Sequence, residues 1–202
     1  MPLSVKIASD FVCPYCFALE ALLRRLRLEG MELSIEHLPF ELTEPTEPPV
    51  EVCGDPERKL RYERDLAPLC REVGLTMHMP PGVSPRPYTR SAFQGLYLAR
   101  ELGREDDYVH RIFQGYFEEE RDIADVETLF ALAEEAGIPS QAFREALGDG
   151  RYASLEREAV RHAKEELEVR IVPTLFLGDR RLEGGAKSLH ELKAWLLGQD
   201  RK

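Results

Sequence analysis

The sequence has no asparagine, one tryptophan and only four cysteines among its 202 residues. Four cysteines are too few for the dense disulfide framework that holds small secreted domains together. No apolar run approaches the roughly 20 residues that cross a bilayer as a helix, so nothing predicts a membrane partner. Basic charge is in deficit: 27 Lys and Arg stand against 37 Asp and Glu, a net charge of −10. Nucleic-acid binding rests on Lys and Arg at the phosphates, so this balance argues against a nucleic-acid partner. A basic segment followed by an apolar one is also missing at the start, which sets the expectation of a cytoplasmic protein or of a mature form whose leader has been removed. The missing asparagine fits a thermophile that sheds thermolabile amides, and a GC-rich genome would give the same bias. Against these absences, 43% of the residues are hydrophobic. That suffices for a sizeable core, and the expectation is a single domain over residues 1–202.

The hydrophobic pattern changes period along the chain. Leu3, Val5 and Ile7 alternate with polar residues and predict a strand. Phe17, Leu19, Leu22, Leu23 and Leu26 recur at helical spacing up to Gly30. Met31 to Leu38 predicts a second strand, and strand, helix, strand in so short a span predicts a parallel βαβ unit. Glu41 to Pro56 is rich in Pro and Glu and predicts a surface loop. From about residue 57 to 164 the pattern is almost wholly helical. The expected helices are Arg58–Val73, Thr89–Leu102, Glu105–Glu119, Asp125–Ala136, Ser140–Leu147 and Arg151–Leu167, with a proline-rich loop between the first two. Ile171–Leu177, a Gly178–Asp179 turn and Arg180–Glu183 predict a hairpin, and Ser188 caps a last helix. Strands thus lie at both ends with the helical block inserted between them.

The chemistry concentrates at Cys13-Pro14-Tyr15-Cys16, where the first strand hands over to the first helix. In a reducing compartment such a pair is more often catalytic or metal-binding than structural. A helix N-terminus offers unpaired N–H groups that favour a thiolate at Cys13, which makes it the nucleophile. Cys16 lies one turn on and can resolve a mixed disulfide formed at Cys13. Pro14 suits the first helical position, where its missing N–H would have no partner, and Tyr15 lies between the sulfurs. Asp10 either influences the thiolate or ends the strand. Pro173 begins the hairpin after Val172, and a cis bond there would leave the backbone of Val172 free to pair with a substrate.

These residues resemble the thioredoxin-fold DsbA family, and more narrowly its FrnE-like branch. The resemblance rests on Ser9 to Pro14, the Pro-Phe-Glu-Leu run Pro39 to Leu42, the proline-rich Pro80 to Ser91, Val172-Pro173-Thr174 and Gly185-Ala186. It implies an α/β thioredoxin fold with a large all-helical insertion, and a thiol–disulfide oxidoreductase with Cys13 as nucleophile, Cys16 as resolving thiol and Pro173 as a cis proline. It implies no bound cofactor, with glutathione or a partner thiol protein exchanging electrons and protein or small-molecule disulfides as substrates. Arg170 and Ile171 stand where the family usually has glycine. The alternative is a glutathione-dependent isomerase or transferase of the related 2-hydroxychromene-2-carboxylate isomerase type, which carries Ser where Cys13 stands.

The remaining candidates are weaker. Cys70 is read first as a small buried hydrophobe, and only after that do Cys53 and Cys70 come as a possible second redox pair. Met77-His78-Met79 has the look of soft metal ligands, but no partner stands at ligand spacing, and no metal is expected. Tyr88 and Phe93 either line a substrate groove or join the core.

Overall fold

The computed structural model describes residues 2–199. The alternating segment forms β1 (Leu3–Ser9), the leucine-rich segment α1 (Pro14–Leu28), and the next apolar run β2 (Leu33–Pro39). β1 and β2 pair in parallel from Leu3 opposite Leu33 to Ser9 opposite Pro39. The hairpin strands β3 (Thr174–Leu177) and β4 (Arg180–Glu183) complete one sheet of order β2-β1-β3-β4. β3 runs antiparallel to β1, with Ile7 opposite Leu175. This places the residues just after β1 beside those just before β3, bringing the two ends of the chain's chemistry together.

Between the strands come α2 (Pro56–Asp65), α3 (Ala67–Val73), α4 (Arg90–Glu101), α5 (Glu105–Phe117), α6 (Val126–Glu135), α7 (Ser140–Gly148) and α8 (Ala153–Arg161), with α9 (Leu189–Leu196) closing the chain. The helical block divides between two apolar clusters. One gathers Val5, Ile7 and Leu175 of the sheet with Leu19, Leu22 and Leu26 of α1, Leu69 of α3, and Leu192 and Trp195 of α9. The other joins Ala8, Phe11, Phe17 and Phe40 to Phe93 of α4, Phe113 of α5, Leu132 of α6 and Phe143 of α7. α4 can approach its neighbours because Gly95 has no side chain: a Cβ there would overlap the ring of Phe143 and the hydroxyl of Tyr108.

β2 is an edge strand whose free backbone groups are taken by side chains. His37 N–H donates to Glu105 at 3.0 Å, Arg100 donates to His37 O at 2.9 Å, and Arg27 to Leu33 O at 2.9 Å. These bonds stand in for a neighbouring strand and deny the edge to another chain.

Two elements differ from the pattern. The single helix expected over 58–73 is two helices, α2 and α3, with Leu66 between them. Pro68, at the second position of α3, has no N–H to donate and its ring crowds the carbonyl four residues back. The last helix of the block passes from α8 into a π-helical turn, His162–Glu166, where Leu167 N–H donates to His162 O at 2.9 Å. That turn keeps Ala163 buried while Lys164 reaches Glu44 at 2.6 Å.

Candidate active site

Cys13 occupies the N-cap position of α1 with extended backbone angles, and Pro14 takes the first helical position. The turn is closed by Cys13 N–H donating to Asp10 O at 3.0 Å and Cys16 N–H to Cys13 O at 3.0 Å. Aromatic residues on either side hold it to the helical block. Phe11 stacks on Phe93 at 4.7 Å, and Phe17 stacks on Phe113 at 5.3 Å and Phe117 at 5.7 Å. The pair is therefore gripped by α4 and α5 as well as by its own helix.

Both sulfurs are thiols and both residues are largely buried, Cys13 at 5% and Cys16 at 3% exposure. Their surroundings are unequal. Cys13 lines a cavity of about 350 Å³, and its Sγ lies 3.6 Å from Val172 O, to which the S–H can donate. Cys16 does not line that cavity. Burial pushes the Cys16 thiol well above its ordinary range, and the hydrogen bond and charge of the Cys13 sulfur push it further. The Val172–Pro173 peptide is cis, as are Met79–Pro80 and Ser84–Pro85 in the proline-rich loop.

Asp10 is fully buried at the end of β1. Its carboxylate accepts from Leu42 N–H at 2.7 Å and Val12 N–H at 3.5 Å. Thr89, the residue before α4, also hydrogen-bonds to this carboxylate and makes no side-chain cap for its own helix. Burial outweighs these bonds and the nearby charge of Arg86, and the carboxyl is pushed up to about 6. Asp10 thus ties the Pro39–Leu42 run and α4 to the turn that carries Cys13.

The cavity wall is mostly apolar: Val12, Val52, Pro80, Pro81, Phe117 and Ile171. Ile171, one of the two residues in place of the expected glycines, is half-exposed and forms part of this wall. The other, Arg170, turns away to donate to Lys164 O at 2.7 Å. Behind Pro173 sits Gly185, at φ +75°, where a Cβ would come within 3.0 Å of the proline ring. Tyr15 meets Tyr62 of α2 edge-on at 6.2 Å, so the insertion closes over the pair from that side.

The structure separates several other residues from the site. Tyr88 donates its hydroxyl to Glu47 O at 2.7 Å, and Phe93 is buried in the core. Cys70 is buried in α3 against α1, and burial pushes its thiol up. Cys53 is exposed in the loop before α2 and does not line the cavity, although its S–H lies 3.1 Å from the carbonyl of Pro81, which does. His78 donates its backbone N–H to Phe117 O at 2.7 Å, while Met77 and Met79 pack against the core. Among the described residues no group of three or more His, Cys, Asp or Glu has a metal-holding arrangement. Sequence reasoning missed Arg58, Arg61 and Arg86, which also line the cavity. The helical spacing of Arg58, Arg61 and Tyr62 was the available signal.

Comparison with known proteins agrees with this architecture. YwbO, an uncharacterised protein of Bacillus subtilis (strain 168), is 34% identical over 186 residues, covering 92% of each chain. Among solved structures, the probable DsbA oxidoreductase SCO1869 of Streptomyces coelicolor superposes with a TM-score of 0.76 at 24% identity, over 99% of this chain and 92% of that one. The cytosolic disulfide reductase DsbM of Pseudomonas aeruginosa, solved with GSH, gives 0.68 at 19% identity, over 97% and 96%. A 2-hydroxychromene-2-carboxylate isomerase gives 0.70 at 24% identity, over 90% and 88%. The DSBA-like thioredoxin domain family matches residues 4–196, and the chain belongs to that family.

Proposed function

We propose that the protein is a thiol–disulfide oxidoreductase working through Cys13 and Cys16, without a bound cofactor. The observation that carries this reading is the inequality of the two sulfurs. Cys13 faces the cavity, whereas Cys16 is enclosed and held as a thiol beside it. In the reducing direction the Cys13 thiolate attacks one sulfur of a substrate disulfide. A Cys13–substrate disulfide forms and the other substrate sulfur leaves as a thiolate, which takes up a proton. Cys16 then gives up its proton and attacks the Cys13 sulfur. The Cys13–Cys16 disulfide forms, the second substrate thiol leaves, and two electrons have passed to the substrate. The same steps reversed oxidise a dithiol, and the direction follows the relative potentials of the two couples.

The neighbours supply positioning. Val172 O beside the Cys13 sulfur is a backbone acceptor at the point where an extended substrate would lie, and Pro173 holds that backbone at the start of β3. Glutathione or a partner thiol protein would complete the cycle, in the cytoplasm. Ser9 to Pro14 and Pro39 to Leu42 favour the FrnE-like branch within the family, and the bond from Leu42 to Asp10 links those two segments.

Cys16→Ser separates this reading from the isomerase alternative. With the resolving thiol gone, incubation with a disulfide should leave a stable adduct at Cys13, visible by intact mass, and abolish turnover. Full glutathione-dependent turnover in Cys16→Ser, with no adduct, would favour the isomerase or transferase.

A further inference from the structure

The charge at the cavity runs against the charge of the chain. The protein carries a net −10, yet the charged side chains lining the cavity beside Cys13 are Arg58, Arg61 and Arg86, with no Asp or Glu among them. Arg58 and Arg61 are one helical turn apart on α2, on the face that also carries Tyr62, and Tyr62 is buried beside Tyr15. The packing of that tyrosine aims both arginines at the cavity.

Arg86 is held differently. Its backbone N–H donates to Val50 O at 2.8 Å, and its Nη2 donates to the Thr43 hydroxyl and to Leu42 O. Its Nε is buried with no partner. The bonds from Nη2 fix the guanidinium at the cavity wall, where its positive charge faces an anion supplied from outside. Arg61 is exposed and makes no hydrogen bond or ion pair of its own among the described residues, although Asp65 is near enough to feel its charge. The acidic neighbours leave room for an added anion. Asp55 meets Arg58 at 3.5 Å, and Asp10 lies within reach of the Arg86 charge, but neither lines the cavity.

We infer that this cavity selects disulfides of small thiols that carry carboxylates. The inference rests on the oxidoreductase reading and names its substrate class. A volume of about 350 Å³ lies in the range of small-molecule sites. The apolar wall covers the carbon skeleton, the fixed charge of Arg86 attracts one carboxylate, and Arg61 and Arg58 receive a second from the mobile side. The carboxylates act on binding and orientation. The exchange itself remains attack by Cys13 and resolution by Cys16, as above.

The test is the rate of oxidation of the reduced full chain by three disulfides of similar size: dithiodipropionate with two carboxylates, neutral hydroxyethyl disulfide, and cystamine with two ammonium groups. Each rate is divided by the rate of the same disulfide with free mercaptoethanol, which removes differences in intrinsic reactivity. Charge-assisted bonds predict a corrected preference for the dicarboxylate of about tenfold or more over the neutral disulfide, with cystamine slowest. Added salt and Arg61→Gln should each reduce that ratio, and Arg86→Gln should reduce it most. If Arg86→Gln fails to fold, Arg61→Gln and the wild-type ratio still decide. Equal corrected rates in the wild type, or a preference that both substitutions leave intact, would overturn the inference while the oxidoreductase reading stands. No exchange with any of the three would overturn that reading and the inference with it.

Discussion

Glu156 is buried without a hydrogen-bond partner for either oxygen, and its substitution by Gln tests the electrostatics of the wall behind the cavity. Arg90 makes a forked bond to Glu41, at 2.7 and 3.1 Å, and also meets Glu156 at 3.4 Å. Both carboxylate side chains are fully enclosed, so one guanidinium faces two acids. Burial, with the charge of Glu41 adding to it, pushes the Glu156 carboxyl up from 4.5 to about 7. Between these pH values the folded chain holds a proton that the unfolded chain has released. Stability contributed by this group is therefore full below pH 4.5 and falls as pH rises towards 7. Each pH unit in that window is worth about 1.4 kcal/mol, so the total is about 3 kcal/mol. Glu156→Gln removes the titration while leaving the Arg90–Glu41 fork in place. Urea unfolding of both proteins from pH 5 to pH 8 should show Glu156→Gln gaining about 2–3 kcal/mol on the wild type across that range, the rest of the total lying below pH 5. Asp10 also titrates higher in the folded chain, but it does so in both proteins and cancels in the difference. A difference in stability that stays flat with pH would mean that Glu156 holds no extra proton in the folded chain. Glu41 immediately precedes Leu42, which lines the cavity and bonds to Asp10, so this trio braces one wall of the site.

Other consequences follow from close contacts and exposure. Gly185→Ala forces a Cβ to 3.0 Å from Pro173 at a left-handed backbone angle. It should cost about 1–3 kcal/mol in urea unfolding and slow disulfide exchange together. Gly95→Ala drives a methyl group into the Phe143 ring and the Tyr108 hydroxyl where α4, α5 and α7 meet; a loss of about 1–3 kcal/mol or more is expected, with exchange by the folded fraction unchanged. Timed alkylation followed by peptide mass mapping should modify exposed Cys53 well before Cys70, whose thiol is buried and pushed up.

The elements with clean periodicity were legible from residues alone. β1, α1, β2, the hairpin and α9 form where alternation, leucine spacing and Ser188 predict them. Cys13 at a helix start followed from the same pattern. The split at Leu66 was also readable, since Pro68 stands in the expected helix, but its apolar spacing carried on through the proline and hid the break. Thr89 shows a different limit. Its position matched a helix cap, yet its hydroxyl serves Asp10, a partner far away in the chain. The cavity arginines and the Glu41–Arg90–Glu156 trio come from separate loops and helices, and only the folded chain brings them together. No local rule says that an acidic chain will turn its arginines towards one thiol.

The most direct test of the central claim is a redox titration of the full chain in graded glutathione buffers, quenched with a mass-adding thiol reagent and read by intact mass and peptide mapping. Cys13 and Cys16 should lose and regain their thiols together as a two-electron couple, and the same map reads whether Cys53 and Cys70 exchange as a pair. If Cys13 stays free or carries a single glutathione while Cys16 never pairs with it, the dithiol mechanism is contradicted.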